Sequence, residues 1–104
     1  MSMPAVKRAD RYQATRATWR GIDIEIRHCP MWSKVAEIDH IEVISEDRQA
    51  LPITETGYRS LFIKPEYIDA FGTAKAYVLG WLDEEAKSPN WNRKEADSKQ
   101  MSLF

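Results

Sequence analysis

The stretch TRATWRGIDIEIR, residues 15–27, alternates apolar and polar side chains on both sides of Arg20-Gly21. A period of two is the signature of a strand with one face covered. If Arg20-Gly21 is a two-residue turn, the register follows by counting. Trp19 faces Ile22, Ala17 faces Ile24 and Thr15 faces Ile26, while Arg16 pairs with Glu25 and Thr18 with Asp23 on the other side. Opposite charges across a ladder add modest stability. A primed turn asks for positive φ, which Gly21 meets more readily than Arg20. This predicted hairpin constrains the fold most, because its apolar face needs another layer to bury it.

The remaining chain supplies candidates for that layer. CPMWSKVAE, with Pro30, reads as a connection, and EIDHIEVIS as a third strand. In the latter, Ile38 and His40 fall out of phase with Ile41 and Val43, which predicts a bulge or a strand covered in part on both faces. EDRQALPITETG reads as a loop with Pro52 and Gly57 as breakers, and YRSLFI as a short fourth strand. KPEYIDAFG predicts a helical turn opened by Pro65. From Thr73 onward, Ala74, Tyr77, Val78, Trp81, Leu82 and Ala86 form a helical stripe, with Thr73 as N-cap and Ser88-Pro89 closing the far end. Gly80 inside it costs on the order of 1 kcal/mol against alanine, which suggests close approach of another backbone. The expected fold is α+β: an antiparallel sheet of three to four strands with one long C-terminal helix packed across a face. Its expected core is Trp19, Ile22, Ile24, Ile26, Ile41, Val43, Phe62, Tyr77, Val78, Trp81 and Leu82.

With 104 residues the chain has room for one modest core. The expected division is a flexible arm over 1–11, one domain over 12–91 and a flexible tail over 92–104. A lone cysteine, Cys29, permits no internal disulfide, and no apolar run approaches a membrane span. MSMPAVKRAD lacks the apolar stretch of a secretory signal, so the expectation is a cytoplasmic protein without a membrane partner. Charge is unevenly placed. Residues 1–34 hold seven basic against three acidic side chains, and residues 35–56 hold one against six. Two such segments attract as neighbours. A third reading, weak nucleic-acid binding, would use Arg11, Arg16, Arg20 and Arg27.

Chemistry-bearing patterns are sparse. His28-Cys29 and the distant Asp39-His40 lack the paired spacing of zinc ligands, and strand neighbours point to opposite faces. Gly21, Gly57, Gly72 and Gly80 are scattered, so no phosphate loop is present. The sequence therefore implies no catalytic residue, no cofactor and no metal, and a non-enzymatic protein. The loop LPITETGYRS carries Thr54, Thr56, Tyr58, Arg59 and Ser60, either for recognition or to tie the loop down. This stretch resembles one in small uncharacterised proteins of bacteria, plasmids and phages, a resemblance that carries no activity with it.

The last five residues are more informative. QMSLF is similar to the pentapeptide by which bacterial polymerases, repair proteins and replication regulators bind the DNA sliding clamp: Gln, then Leu or Met, then Ser or Asp, then Leu, then Phe. All five positions fit, with Met less usual than Leu at the second. The resemblance implies Gln100 hydrogen bonding at the groove's rim, Met101 in a shallow apolar pocket and Ser102 as an extended spacer. Leu103 and Phe104 would be the deep anchors. Trp91 is expected to pack back on the domain, with residues 92–99 as a tether. The first expectation is thus a small adaptor or regulator that binds the clamp through this tail. The second is a protein-binding module, for instance a mobile-element inhibitor of a host enzyme, acting through the acidic strand Glu37–Asp47.

Overall fold

A computed structural model describes residues 11–101. The predicted hairpin is present in the predicted register. Strand β1 (Gln13–Trp19) runs antiparallel to β2 (Ile22–Ser33), pairing Trp19 with Ile22, Ala17 with Ile24, Thr15 with Ile26, Arg16 with Glu25 and Thr18 with Asp23. Arg20 and Gly21 both take positive φ, 49° and 82°, which matches the right-handed twist of the flanking strands. Thr18 Oγ1 donates to Asp23 Oδ1 at 2.7 Å across the turn.

Two more strands complete an antiparallel meander in the order β1-β2-β3-β4, with β3 at Ile38–Ser45 and β4 at Tyr58–Ile63. The segment expected as a connection, from Cys29 to Ser33, instead continues β2. Pro30 is tolerated because the register with β3 shifts between Cys29 and Ser33, where Met31 sits at φ 49° and no ladder donor is required. The phase break read on β3 therefore reflects a bulge on its partner.

Three helices follow among the described residues: α1 (Pro65–Asp69), α2 (Ala74–Glu85) and α3 (Pro89–Met101). The single long helix expected is thus corrected. The apolar stripe ends with Ala86, and Ser88-Pro89 starts a new helix, with Ser88 Oγ accepting the Trp91 N–H at 3.2 Å. The span 92–99, expected as a tether, is helical here. Thr73 caps α2, its Oγ1 accepting the Ala76 N–H at 3.1 Å. Gly80 meets no foreign backbone; a Cβ there would lie 3.0 Å from Phe71 Cε1, so a ring and not a main chain approaches it.

The core lies between one sheet face and these helices. Ile24, Ile26, Ile41, Val43, Val78 and Leu82 are fully buried, each worth roughly 1.5–3 kcal/mol. Trp19 donates its indole N–H to Asp83 Oδ1 at 2.8 Å, and Arg59 lies 5.5 Å over the Trp81 ring, so both edge strands are tied to α2. Leu51 and Ile53 join the core although the surrounding stretch reads as a polar loop. A bridge between Leu51 and Thr54 turns both apolar residues inward, and Thr54 Oγ1 donates to the Tyr58 carbonyl. Trp91 packs back as expected, 5.7 Å from the Trp19 ring. Phe62 is a correction. It lies on the opposite face and is 51% exposed, because the pairing of Ile41 with Leu61 puts Arg59, Leu61 and Ile63 on the core side. Among the described residues no helix is long and apolar enough to cross a membrane.

Candidate functional site

The helices cover one sheet face and leave the other open. Strand parity fixes what the open face carries: Arg16 and Thr18 from β1, Glu25, Arg27 and Cys29 from β2, His40 and Glu42 from β3, and Tyr58, Ser60 and Phe62 from β4. Four rings gather at one end of it. His40 stacks on Phe62 with ring centres 4.5 Å apart and planes 17° from parallel. Trp32 meets Phe62 edge-on at 4.7 Å, and Tyr12 meets His40 edge-on at 5.6 Å. The Tyr12 hydroxyl and His40 Nδ1 share a short hydrogen bond. Such offset and edge-to-face pairs add about 0.5–1.5 kcal/mol each beyond the area they bury.

A polar network continues from the rings across the same face. The Arg27 guanidinium sits 5.0 Å over the Tyr12 ring, and its Nε lies 3.8 Å from Glu42 Oε1. Glu42 also accepts a hydrogen bond from the Tyr58 hydroxyl. That hydrogen bond pushes the Tyr58 phenol up to about 12, with burial and the Glu42 charge adding to it. Burial lowers His40, and the Glu42 charge opposes that in part. The result is a fixed, mixed-charge surface with one aromatic platform. It can bind by stacking and hydrogen bonding, whereas the thiol at its centre, Cys29, is fully buried. Among the described residues no group of three or more His, Cys, Asp or Glu side chains is placed to hold a metal ion.

The residues singled out from sequence fall in several places. His28 and Cys29 do point to opposite faces: His28 turns to the helix side, where Nε2 lies 2.8 Å from Asp39 Oδ2, and Cys29 pairs with His40. Of the acidic strand Glu37–Asp47, Asp39 and Glu42 are used internally, whereas Glu37, Glu46 and Asp47 are exposed. Asp39 is 3% exposed, held by His28 and by the Met31 N–H at 2.7 Å, while Glu42 is occupied by Arg27 and Tyr58. Most of the arginines also have partners. Arg11 donates to the Met31 carbonyl, Arg20 meets Glu95 at 3.1 Å, and Arg16 lies across from Glu25. The two opposed charge blocks meet where β2 lies beside β3, through Arg27 and Glu42.

Sequence reasoning missed Tyr12, Trp32 and Phe62. The only signal was parity on β4, where Tyr58, Ser60 and Phe62 form one set, and that set is no less apolar than its alternative. Of the pentapeptide, Gln100 and Met101 close α3. Ser102, Leu103 and Phe104, like residues 1–10 of the expected arm, lie outside the described residues.

Residues 12–91 match the family model described as KlcB third domain. Neither a curated protein nor a solved structure matches the chain.

Proposed function

The chain belongs to the KlcB third-domain family; from the residues that follow the matched span we propose that it is a non-enzymatic adaptor whose segment Gln100–Phe104 docks in a groove of the DNA sliding clamp. The observation that carries this reading is the agreement of all five residues, QMSLF, with the clamp-binding pentapeptide. The course of α3 supports it. Trp91 anchors the helix to the core, while Asn92, Arg93, Lys94 and Ala96 beyond it are exposed. Nine residues of helix place Gln100 roughly 14 Å along the axis from that anchor. An extended motif requires the last turn of α3 to open around Gln100 and Met101. Terminal turns are inexpensive to open, since their carbonyls lack intrahelical partners already.

Burying Met101, Leu103 and Phe104 would contribute roughly 1.5–3 kcal/mol each. Ordering the segment and losing free motion remove several kcal/mol of that. The balance is near −8 kcal/mol, or about micromolar affinity. An immobilised clamp should therefore retain the full chain, and Leu103→Ala with Phe104→Ala should abolish retention at an unchanged unfolding temperature. Equal retention of the double variant would overturn the proposal.

One observation favours a second reading, a protein-binding module acting through the folded domain. The exposed Phe62 ring, backed by His40 and Trp32, is a preorganised apolar contact on the open face. Capture that survives loss of the pentapeptide but not Phe62→Ser would select this reading over the first.

A further inference from the structure

On the helix side, a cavity of about 410 Å³ opens between the free edge of the sheet and the turn joining α1 to α2. That volume is within the range of small-molecule sites, which combine apolar walls with a few fixed polar groups. Ile26 and Ile68, both almost fully buried, give the apolar part. Gln13, Thr15, His28, Asp69, Thr73 and Lys75 give the polar part.

His28 is held by a buried carboxylate. Both oxygens of the buried Asp39 are engaged, one by the Met31 N–H and the other by His28 Nε2. A carboxylate only accepts, so Nε2 is the donor in that contact, and the ring is fixed in orientation at the cavity wall. The β2 bulge sets this up by bringing the Met31 amide to Asp39. Across the cavity, the side chains of Asp69 and Lys75 have no hydrogen-bond or ion-pair partner among the described residues. The lining thus offers an anionic acceptor in Asp69, a cationic donor in Lys75 and an apolar floor in Ile26 and Ile68.

We propose that this cavity binds an amino-acid zwitterion with an apolar side chain. The ligand's ammonium is taken by Asp69, its carboxylate by Lys75, and its side chain rests on Ile26 and Ile68. A site of this composition discriminates against ligands lacking either charge, because a charge-assisted hydrogen bond left unmade costs at least about tenfold in affinity.

Titrating the full chain with L-leucine and watching backbone amide resonances tests this. Saturable shifts are expected at His28, Gly72, Thr73 and Lys75. N-acetyl-leucine, which lacks the ammonium, and leucinamide, which lacks the carboxylate, should each bind at least about tenfold more weakly. Asp69→Asn and Lys75→Ala, both at exposed positions, should weaken L-leucine similarly without lowering the unfolding temperature. Absence of saturable shifts with L-leucine, or equal binding of N-acetyl-leucine, would overturn the proposal. Neither result bears on the pentapeptide, whose test is retention by the clamp.

Discussion

Tyr58 and Glu42 show how a single hydrogen bond on the open face couples to pH. The phenol must stay protonated to donate to the carboxylate, and its pKa rises from 10 to about 12 in the folded chain. The contribution to stability is fully present below about pH 10, where folded and unfolded phenols are both protonated, and is lost as pH rises toward 12. An ultraviolet titration of tyrosinate should therefore find a phenol ionising near pH 12 that Tyr58→Phe removes. Glu42→Gln should move that ionisation down toward the ordinary tyrosine value; an unmoved titration would show that Glu42 is not its cause. Phe62 is instructive at the same scale. Tyr58, Ser60 and Phe62 are as plausible a buried set as Arg59, Leu61 and Ile63 when read from β4 alone. The choice was made by β3, whose Ile41 faces the core beside Leu61. Arg59 is tolerated on that side because its guanidinium stacks on Trp81.

At the scale of elements, two glycines with different surroundings separate backbone constraint from side-chain crowding. Gly57 closes the long loop between β3 and β4 at φ 79°, with its carbonyl accepting the Ser45 N–H at 2.8 Å. A Cβ there would lie 2.5 Å from the Arg48 main chain and from Ser45 Oγ. Strain from the left-handed conformation and the backbone clash add, so Gly57→Ala should destabilise by roughly 2–4 kcal/mol in urea unfolding. Gly80 has ordinary helical φ, and the nearest atoms to its Cβ would belong to Phe71, a half-exposed ring that can turn aside. Gly80→Ala gains helix propensity and should change stability by less than about 1 kcal/mol. The reverse order of the two variants would refute this account of the loop. The elements themselves differed in legibility. The hairpin was readable because alternation and turn agree locally, as was α2 from its stripe and the Thr73 cap. The β2 bulge was not, since Pro30 is a reliable breaker until a partner strand shifts register around it.

Over the whole molecule, α3 is joined to the body, among the described residues, chiefly by Trp91, which is 7% exposed against Trp19. Farther along, Lys94–Glu55 and Arg20–Glu95 are surface ion pairs, a class that contributes little. Removing residues 93–104 should therefore leave the thermal midpoint nearly unchanged, whereas Trp91→Ala should cost about 3–5 kcal/mol. A large fall in the midpoint on truncation would show that α3 stabilises the domain beyond its anchor. Among the described residues the buried indole Nε1 of Trp91 has no hydrogen-bond partner, so Trp91→Phe should cost much less than Trp91→Ala. By itself the sequence determined the hairpin and its register and the α2 cap and stripe, because each depends on periodicity or on chemistry between near neighbours; the return of Trp91 was legible only as a lone large apolar side chain in a polar stretch. Only the tertiary structure decided the sheet face taken by Phe62, the inward turn of Leu51 and Ile53, and the pairing of His28 with Asp39. Those outcomes depend on which strand lies beside which, and the energy of pairing belongs to both strands together.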